Sequence, residues 1–396
     1  MENQAMTKIG TVFSELLKLV PRFHFDQAVT SYQGDRYTKS FTTWKQFITI
    51  LYSQITRKDS LREIETGLLT QSCRWYHLGL TAVHRSTLSD ANNRRDYRIF
   101  EDLFYHLLSR CKSLTPKHKF RFKNELHSID ATTIDLCLSV FPWARFRKAK
   151  GAIKLHCQYD HSGALPSFIV ATDGKQHESR IMKEHEFPLL PDSIVSVDRG
   201  YLDFKWLYSL TQKRVYFVTR AKKNFKYEVV GQHKELKGKN VLQDQKVRLD
   251  GFYAGKDYPE MLRRIEYKDP EKKKKLVFIT NNFKLAASTI ASIYKARWQI
   301  ELFFKWIKQN LKIKSFLGTS KNAVMTQVWI AMCYYLLLTY IKYQTKFAHS
   351  LLVLSRVIRE TLMDRKALID ILTLKPEKLV QVETEPIQYQ LTFTGQ

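Results

Sequence analysis

Three carboxylates stand where the chain could do chemistry. Asp130 lies in Leu126-His-Ser-Ile-Asp130-Ala-Thr-Thr-Ile, and Asp198 in Ile194-Val-Ser-Val-Asp198-Arg-Gly-Tyr201. Glu301 lies in Tyr294-Lys-Ala-Arg297-Trp-Gln-Ile-Glu301-Leu-Phe-Phe-Lys-Trp-Ile-Lys308. The first two segments read as apolar strands that contain or end in an acid, and the third reads as a helix. The chain carries 65 Lys and Arg against 38 Asp and Glu, a formal net charge of +27. Acids of this kind on so basic a chain suggest metal-dependent cleavage of nucleic acid. Phosphodiester hydrolysis needs an activated water and neutralised charge on the attacking and leaving oxygens. Two Mg²⁺ or Mn²⁺ ions about 4 Å apart, held by carboxylates, supply both. Histidine and cysteine are not required, and no His/Cys set with metal-ligand spacing occurs. Asp130 is expected to bridge the two ions, because a strand holds a side chain more rigidly than a loop.

Read as one helix, the third segment places Tyr294, Arg297, Glu301 and Lys308 within about 60° of arc at 100° per residue. A phenol, a guanidinium, a carboxylate and an ammonium then share one stripe, a metal ligand among phosphate donors. Ile293, Phe303, Trp306 and Ile307 are left for the core, and the aromatic run Trp298, Phe303, Phe304, Trp306 reads as packing. Each acid taken singly also fits a structural role. Asp130 could cap a turn, Asp198 could end a strand, and Glu301 could pair with Arg297 or Lys305, a surface bridge of about 0.5 kcal/mol. Their joint occurrence in these element types favours the chemical reading.

The elements that must position them follow a mixed α/β plan. Residues 7–112 read as helical, with apolar faces at Thr11–Val20 and Trp44–Ile55, and Ser60-Leu-Arg-Glu63 as a capping box. Ser86 or Thr87 is expected to cap a helix that runs on to Leu107. Pro116 and its basic neighbours mark a linker. Strands are expected at Glu125–Cys137, Ala152–Asp160, Phe168–Thr172, Ser193–Val197 and Val215–Thr219, with turns at His161-Ser-Gly163 and Asp173-Gly174. Asp203–Thr211 reads as a helix. Residues 222–270 read as a charged, irregular insertion with short β-like pieces at Tyr227 and at Phe252-Tyr253. Lys275–Thr280 returns to strand, followed by helix from about Ala286 to Lys312. Leu351–Met363 reads as helix and Gln388–Phe393 as strand.

At 396 residues and 44% apolar content the chain can bury a sizeable core in two or three domains. A pI near 9.7 points to a polyanionic partner. The charge is spread along the chain, not gathered in one amphipathic helix, which favours nucleic acid over an anionic membrane. Arg145, Arg147, Lys148, Lys150 and Lys154 flank the turn after the first acid-bearing strand and are expected beside DNA. Arg94 and Arg95 could enter a groove, with a solvated helix face as the equal alternative. His177 fits a turn residue without a role better than a water-orienting group. Five cysteines without a C-x-x-C pair argue against a disulfide framework or zinc site and fit a reducing cytosol. No signal peptide is expected from the polar N-terminus. Ala323–Ile341 is long enough to approach a membrane span, but a buried core helix is the preferred reading.

The helix matches Y-x2-R-x3-E-x6-K, and with Ile129-Asp130-Ala-Thr, Asp198-Arg-Gly200-Tyr201 and Leu276-Val-Phe-Ile-Thr-Asn281 it resembles cut-and-paste DDE transposases of the insertion-sequence-four superfamily. Ser60-Leu-Arg-Glu-Ile64, His77-Leu-Gly79 and Ser86-Thr-Leu-Ser-Asp-Ala91 resemble the helical part that often precedes that core, so the likeness spans about 5–345. It implies an RNase H-like catalytic core with a β-rich insertion, preceded by an all-helical N-terminal domain. The expected divisions are 1–113 (helical, DNA-binding), 114–221 and 275–345 (catalytic core), 222–274 (insertion) and 346–396 (possible dimer contact). The resemblance implies Asp130, Asp198 and Glu301 as ligands of two Mg²⁺ or Mn²⁺ ions, and Tyr294, Arg297 and Lys308 as contacts to phosphates near the transposon end. It also implies double-stranded DNA (transposon ends and target) as partner, a homodimer on DNA, no membrane, and a bacterial, cytoplasmic, nucleoid-associated protein. Relatives use a tryptophan in the insertion to hold a flipped base. This chain has none between residues 206 and 298, which leaves Phe225, Tyr227, Phe252 or Tyr253 for stacking. The alternatives are a nuclease or resolvase on the same fold, and a transposase-derived DNA-binding protein without catalysis.

Overall fold

The computed structural model describes residues 10–147, 150–174, 178–233, 240–271, 273–313 and 315–373. Lys148, His177 and the expected strand Gln388–Phe393 lie outside them. The chain opens with helices α1 (Val12–Lys18), α2 (Arg22–Ser31), α3 (Thr43–Thr56), α4 (Leu61–Leu69), α5 (Trp75–Leu78), α6 (Arg85–Arg94) and α7 (Arg98–Leu114). Side chains of Thr11, Thr42 and Ser60 accept the N–H three residues on and so start α1, α3 and α4. The Ser60–Glu63 capping box is present: Glu63 accepts in return from the Asp59 N–H at 3.0 Å. The expected helix from Ser86 or Thr87 to Leu107 is two helices. α6 begins at Arg85 without a side-chain cap, and Asp96 restarts the chain by accepting the Arg98 N–H at 2.9 Å.

The strands are β1 (Leu126–Leu136), β2 (Arg145–Arg147), β3 (Lys150–Asp160), β4 (Leu165–Asp173), β5 (Ile194–Val197), β6 (Tyr216–Arg220), β7 (Tyr227–Gln232), β8 (Val241–Leu249), β9 (Leu262–Lys268) and β10 (Lys275–Thr280). They form one ten-stranded sheet in the order β2-β3-β1-β5-β6-β10-β9-β8-β7, with β4 also on β3. β1, β5 and β6 run parallel, and the other pairings are antiparallel. The β3–β4 turn needs Gly163, whose φ is +72° and where a Cβ would stand 2.2 Å from that of Thr115. The segment read as an irregular insertion supplies β7, β8 and β9, which continue the main sheet beyond β10. Phe252-Tyr253, read as β-like, opens a short helix.

The remaining helices are α8 (Glu178–Glu184), α9 (Phe204–Gln212), α10 (Phe252–Asp257), α11 (Ala287–Ala296), α12 (Trp298–Asn310), α13 (Lys321–Gln344), α14 (Leu351–Thr361) and α15 (Leu368–Leu372). Alternation along β5 divides the sheet's faces. Val195 and Val197 pack with Leu207 of α9, whereas Ile194 packs with Ile290 and Ile293 of α11. Among the described residues, α13 is the one helix long and apolar enough to cross a membrane, yet 94% of its most apolar window is buried in the protein. It joins α3, α7 and α14 in a core that also takes Ile134 and Leu155 of the sheet and Ile300, Phe303 and Ile307 of α12. The division expected between 113 and 114 falls inside α7, and the core runs across it without a gap. The described part of the C-terminal region belongs to the same body. Leu354, Ile358, Leu362 and Leu372 are buried in it, and Val12 and Phe13 donate their N–H to the carbonyls of Asp364 and Leu362.

Candidate active site

Register puts the two aspartates side by side. Parallel β1 and β5 pair Leu126 with Ile194, His127 with Val195, Ser128 with Ser196 and Ile129 with Val197. One step further along each strand stand Asp130 and Asp198, on chains about 4.8 Å apart. Both share parity with Leu126 and Ile194, whose side chains face α11, so both carboxylates emerge on the side covered by α11 and α12. Asp130 stays within β1, whereas Asp198 follows the last residue of β5 and opens a single 3₁₀ turn over Arg199–Tyr201.

Glu301 arrives from the first turn of α12. The helix expected from 286 to 312 is broken at Arg297, where Arg297 N–H donates to the Tyr294 carbonyl and Ile300 N–H to that of Arg297, both i to i−3. The break turns both side chains onto the acids. Arg297 donates to Asp130 Oδ2 at 2.8 Å and to Glu301 Oε1 at 2.7 Å, and the Tyr294 hydroxyl donates to Asp198 Oδ1 at 3.1 Å. Asp130 and Glu301 are thus separated by one guanidinium group. The Ala131 N–H donates to Asp130 Oδ1 at 2.8 Å.

Burial pushes the Asp130 carboxyl up to about 6, against the pull of the Ala131 N–H and Arg297. Burial likewise lifts the Tyr294 phenol to about 12, reinforced by the Asp198 charge. At Arg297 burial opposes the charge, but Asp130, Tyr294 and Glu301 outweigh it and hold the guanidinium above its ordinary value. Its Nε is buried without a hydrogen-bond partner, so the neighbouring acids do not use all of its donors.

An open cleft of about 500 Å³ is lined by Asp130, Thr132, Glu301, Phe304, Lys305 and Lys308. A second hollow, about 380 Å³, lies among Asp198, Arg199, Gly200, Lys222, Lys223 and Asn224. Carboxylate oxygens are the donors that hard divalent cations take, and a cation already lies between two of these acids in the form of Arg297. As the side chains stand, no three acids, histidines or cysteines among the described residues close on a common metal position. The set fits such ions by its chemistry once the guanidinium withdraws.

The other expected contacts divide. Lys308 lines the first cleft. Lys154 is half-buried opposite Thr133, three residues along β1 from Asp130, which is about 10 Å. Arg145 and Arg147 lie on edge strand β2, and Lys150 opens β3 beside it. Arg94 is exposed on α6. Arg95 is turned inward, bonded to the Phe41 carbonyl, Gln46 and Thr38; it ties α6 to the segment before α3 and is not free to enter a groove. Trp298, read as packing, is 57% exposed, whereas Phe303 and Phe304 are buried. Of the stacking candidates, Phe225 and Tyr227 pack on one another at 5.2 Å, whereas Phe252 and Tyr253 are 82% and 80% exposed. Sequence reasoning missed His161, read only as turn chemistry. It is buried and bonded to both Ser128 of β1 and Gln299 of α12.

Strand-borne aspartates joined to a helical glutamate beside basic clefts define a class of enzyme that acts on nucleic acid. A family model described as the transposase DDE domain matches residues 122–337, and a domain of unknown function matches residues 9–81. The chain is 34% identical over 255 residues to y4zB of Sinorhizobium fredii, a protein named as a transposase, covering 63% of this chain and 69% of that one. It is 28% identical over 278 residues to a Geobacillus stearothermophilus protein named as a transposase for insertion sequence element IS5377, covering 68% and 70%. Over 324 residues it is 23% identical to the transposase for IS231E of Bacillus thuringiensis subsp. finitimus, covering 68% of each. The chain belongs to the DDE transposases of the insertion-sequence-four type, enzymes that generally use divalent metal ions.

Proposed function

We propose that this transposase binds the terminal inverted repeats of an insertion sequence, cuts each end and joins the freed 3′-OH to target DNA by a cut-and-paste route. The observation that carries the reading is the junction of three acids: Asp130 and Asp198 one step beyond paired positions of parallel strands, and Glu301 one guanidinium away. An RNase H-like core is supported by the run β4-β3-β1-β5-β6, antiparallel and then parallel, with the aspartates on adjoining parallel strands. Asp130, Asp198 and Glu301 would hold two Mg²⁺ or Mn²⁺ ions. When bound, these activate the nucleophile and neutralise charge on the attacking and leaving oxygens. Asp130, fixed within a strand, would be their most rigidly placed ligand. Arg297 and Tyr294 keep the acids together without metal, and their donors pass to phosphate oxygens when the DNA end enters. Lys308, Lys305, Lys154 and the basic edge around β2 hold the flanking backbone. One site must act at each end, so two chains work on one element.

The test is cleavage of labelled DNA carrying the element's ends, followed by strand transfer from a pre-cut 3′-OH end. Mn²⁺ or Mg²⁺ should support both reactions, and Ca²⁺ should permit assembly without chemistry. Asp130→Ala should abolish cutting while end binding stays within about twofold. Cutting without joining would identify a nuclease instead, and binding without cutting in any metal would identify a silent DNA-binding protein.

A further inference from the structure

One polar chain, buried at Ser128 and His161 and exposed at Gln299, crosses from the strand that carries Asp130 to the helix that carries Glu301. His161, in the turn between β3 and β4, sits with its Nε2 2.7 Å from the Ser128 hydroxyl and its Nδ1 3.3 Å from Gln299 Oε1. Ser128 is two residues before Asp130 on the same face of β1, and Gln299 is two residues before Glu301 in α12. Only 9% of His161 is exposed, and burial lowers its basicity to about 4. A neutral imidazole has one donor and one acceptor. Gln299 Oε1 can only accept, so Nδ1 carries the proton and Nε2 accepts from the Ser128 hydroxyl. Both ring nitrogens are therefore engaged, each toward a different wall of the site. The ring is also wedged edge-on against Tyr159 at 5.4 Å, and Tyr159 packs on Phe303 of α12.

Beside Arg297, His161 supplies a polar link between these two acid-bearing elements. The two links differ in what they need. Arg297 holds the acids by the very oxygens that a divalent ion would take, so its grip is lost when the site is loaded. The His161 link touches no acid and survives loading. We infer that His161 is a positioning residue that fixes the gap between Asp130 and Glu301 during the reaction, acting through Ser128 and Gln299. A neutral, buried strut suits this role because displacement of a reacting group by about 1 Å can cost on the order of 10²-fold in rate.

The inference rests on the transposase reading, and the experiment separates the two. Single-turnover cleavage at saturating DNA, Mn²⁺ binding to the DNA-free protein by titration calorimetry, and thermal unfolding are measured for wild type, His161→Phe, Gln299→Leu and Gln299→Glu. His161→Phe keeps a ring and removes both hydrogen bonds. Gln299→Leu removes one bond from an exposed position, so it folds even if the first variant does not. Gln299→Glu restores the acceptor. The expected result is a loss of about 10- to 100-fold in cleavage rate and a several-fold weaker Mn²⁺ affinity for the first two. DNA affinity should be unchanged, and Gln299→Glu should recover most of both losses. If a folded Gln299→Leu cleaves within twofold of wild type and binds Mn²⁺ equally, the strut has no part in the site and the inference falls. If Gln299→Glu fails to recover what Gln299→Leu loses, the bond to Nδ1 is not the cause and the inference also falls. If wild type itself does not cut DNA in Mn²⁺, the transposase reading fails, and the Mn²⁺ titration alone then decides whether the strut shapes the acid set.

Discussion

At the scale of the residue, Asp130 is an acid under tension. Its carboxyl is taken from water, and of its two oxygens only one faces a cation while the other accepts a backbone N–H. Burial therefore wins and raises it from 3.8 to about 6. The folded, metal-free chain keeps a proton there that the unfolded chain gives up. Stability from this group is whole below about 3.8 and is lost as pH rises through about 6. At 1.36 kcal/mol per pH unit the loss comes to about 3 kcal/mol. Asp130→Asn carries the neutral form at every pH, and Arg297 keeps Glu301 as its partner. In chelator, its urea-unfolding stability should exceed that of wild type by up to about 3 kcal/mol at pH 8 and meet it near pH 4. A gap that does not change with pH would show that burial does not hold this carboxyl up. The same substitution removes a proposed metal ligand, so a variant that is more stable and catalytically dead is the expected pairing.

At the scale of the element, periodicity located the strands that bear the acids. The strand content at Leu126 and the short apolar run at Ile194 are observed as strands, and Lys275–Thr280 is observed as read. Helix breaks were not legible. Nothing in the residue types of 286–312 signals the break at Arg297, whose partners, Asp130 for Arg297 and Asp198 for Tyr294, lie far away in sequence. At the break between α6 and α7 Arg95 likewise reaches a distant partner, the carbonyl of Phe41. The charged stretch 222–270 hid its strands because their stabilising pairs are polar. Arg263 of β9 makes a bidentate pair with Asp244 of β8, at 2.8 and 2.7 Å, and also donates to the carbonyls of Asn282 and Leu285. Both side chains are almost wholly buried, so they fasten β8 and β9 to the turn that leads into α11. Arg263→Met should cost about 3–5 kcal/mol in urea unfolding by leaving the Asp244 charge buried and unpaired. Adding Asp244→Leu should recover most of that cost. A single variant that costs under about 1 kcal/mol would mean that water reaches the pair and that these strands are not a rigid part of the sheet.

At the scale of the whole molecule, the acids depend on a body assembled from both ends of the sequence. α12 is held between the sheet and α13, and α13 is surrounded by helices from residues 12–114 and 351–361. Sequence order suggested a helical N-terminal domain at 1–113 and a C-terminal region at 346–396 with a possible dimer contact. Local pattern cannot reveal that Leu354, Ile358, Leu362 and Leu372 fill the same core as Phe13 and Phe47, because that fact is set by long-range packing. Each such side chain contributes about 1.5–3 kcal/mol when buried, so the four together contribute on the order of 6–12 kcal/mol. A typical domain's whole stability is about 5–15 kcal/mol. A chain ending at residue 345 should therefore lose the cooperative unfolding of its helical body, together with protection of α1 and α3 from proteolysis, although every acid of the candidate site is still present. DNA cleavage should fall with it, because α13, which presses α12 to the sheet, loses its packing against α14. Leu354→Ala in the full chain should show the same trend at about 2–5 kcal/mol. If the shortened chain instead unfolds at the wild-type denaturant midpoint, the C-terminal helices are packed on a core that stands without them, and the dependence of the site on both chain ends is refuted.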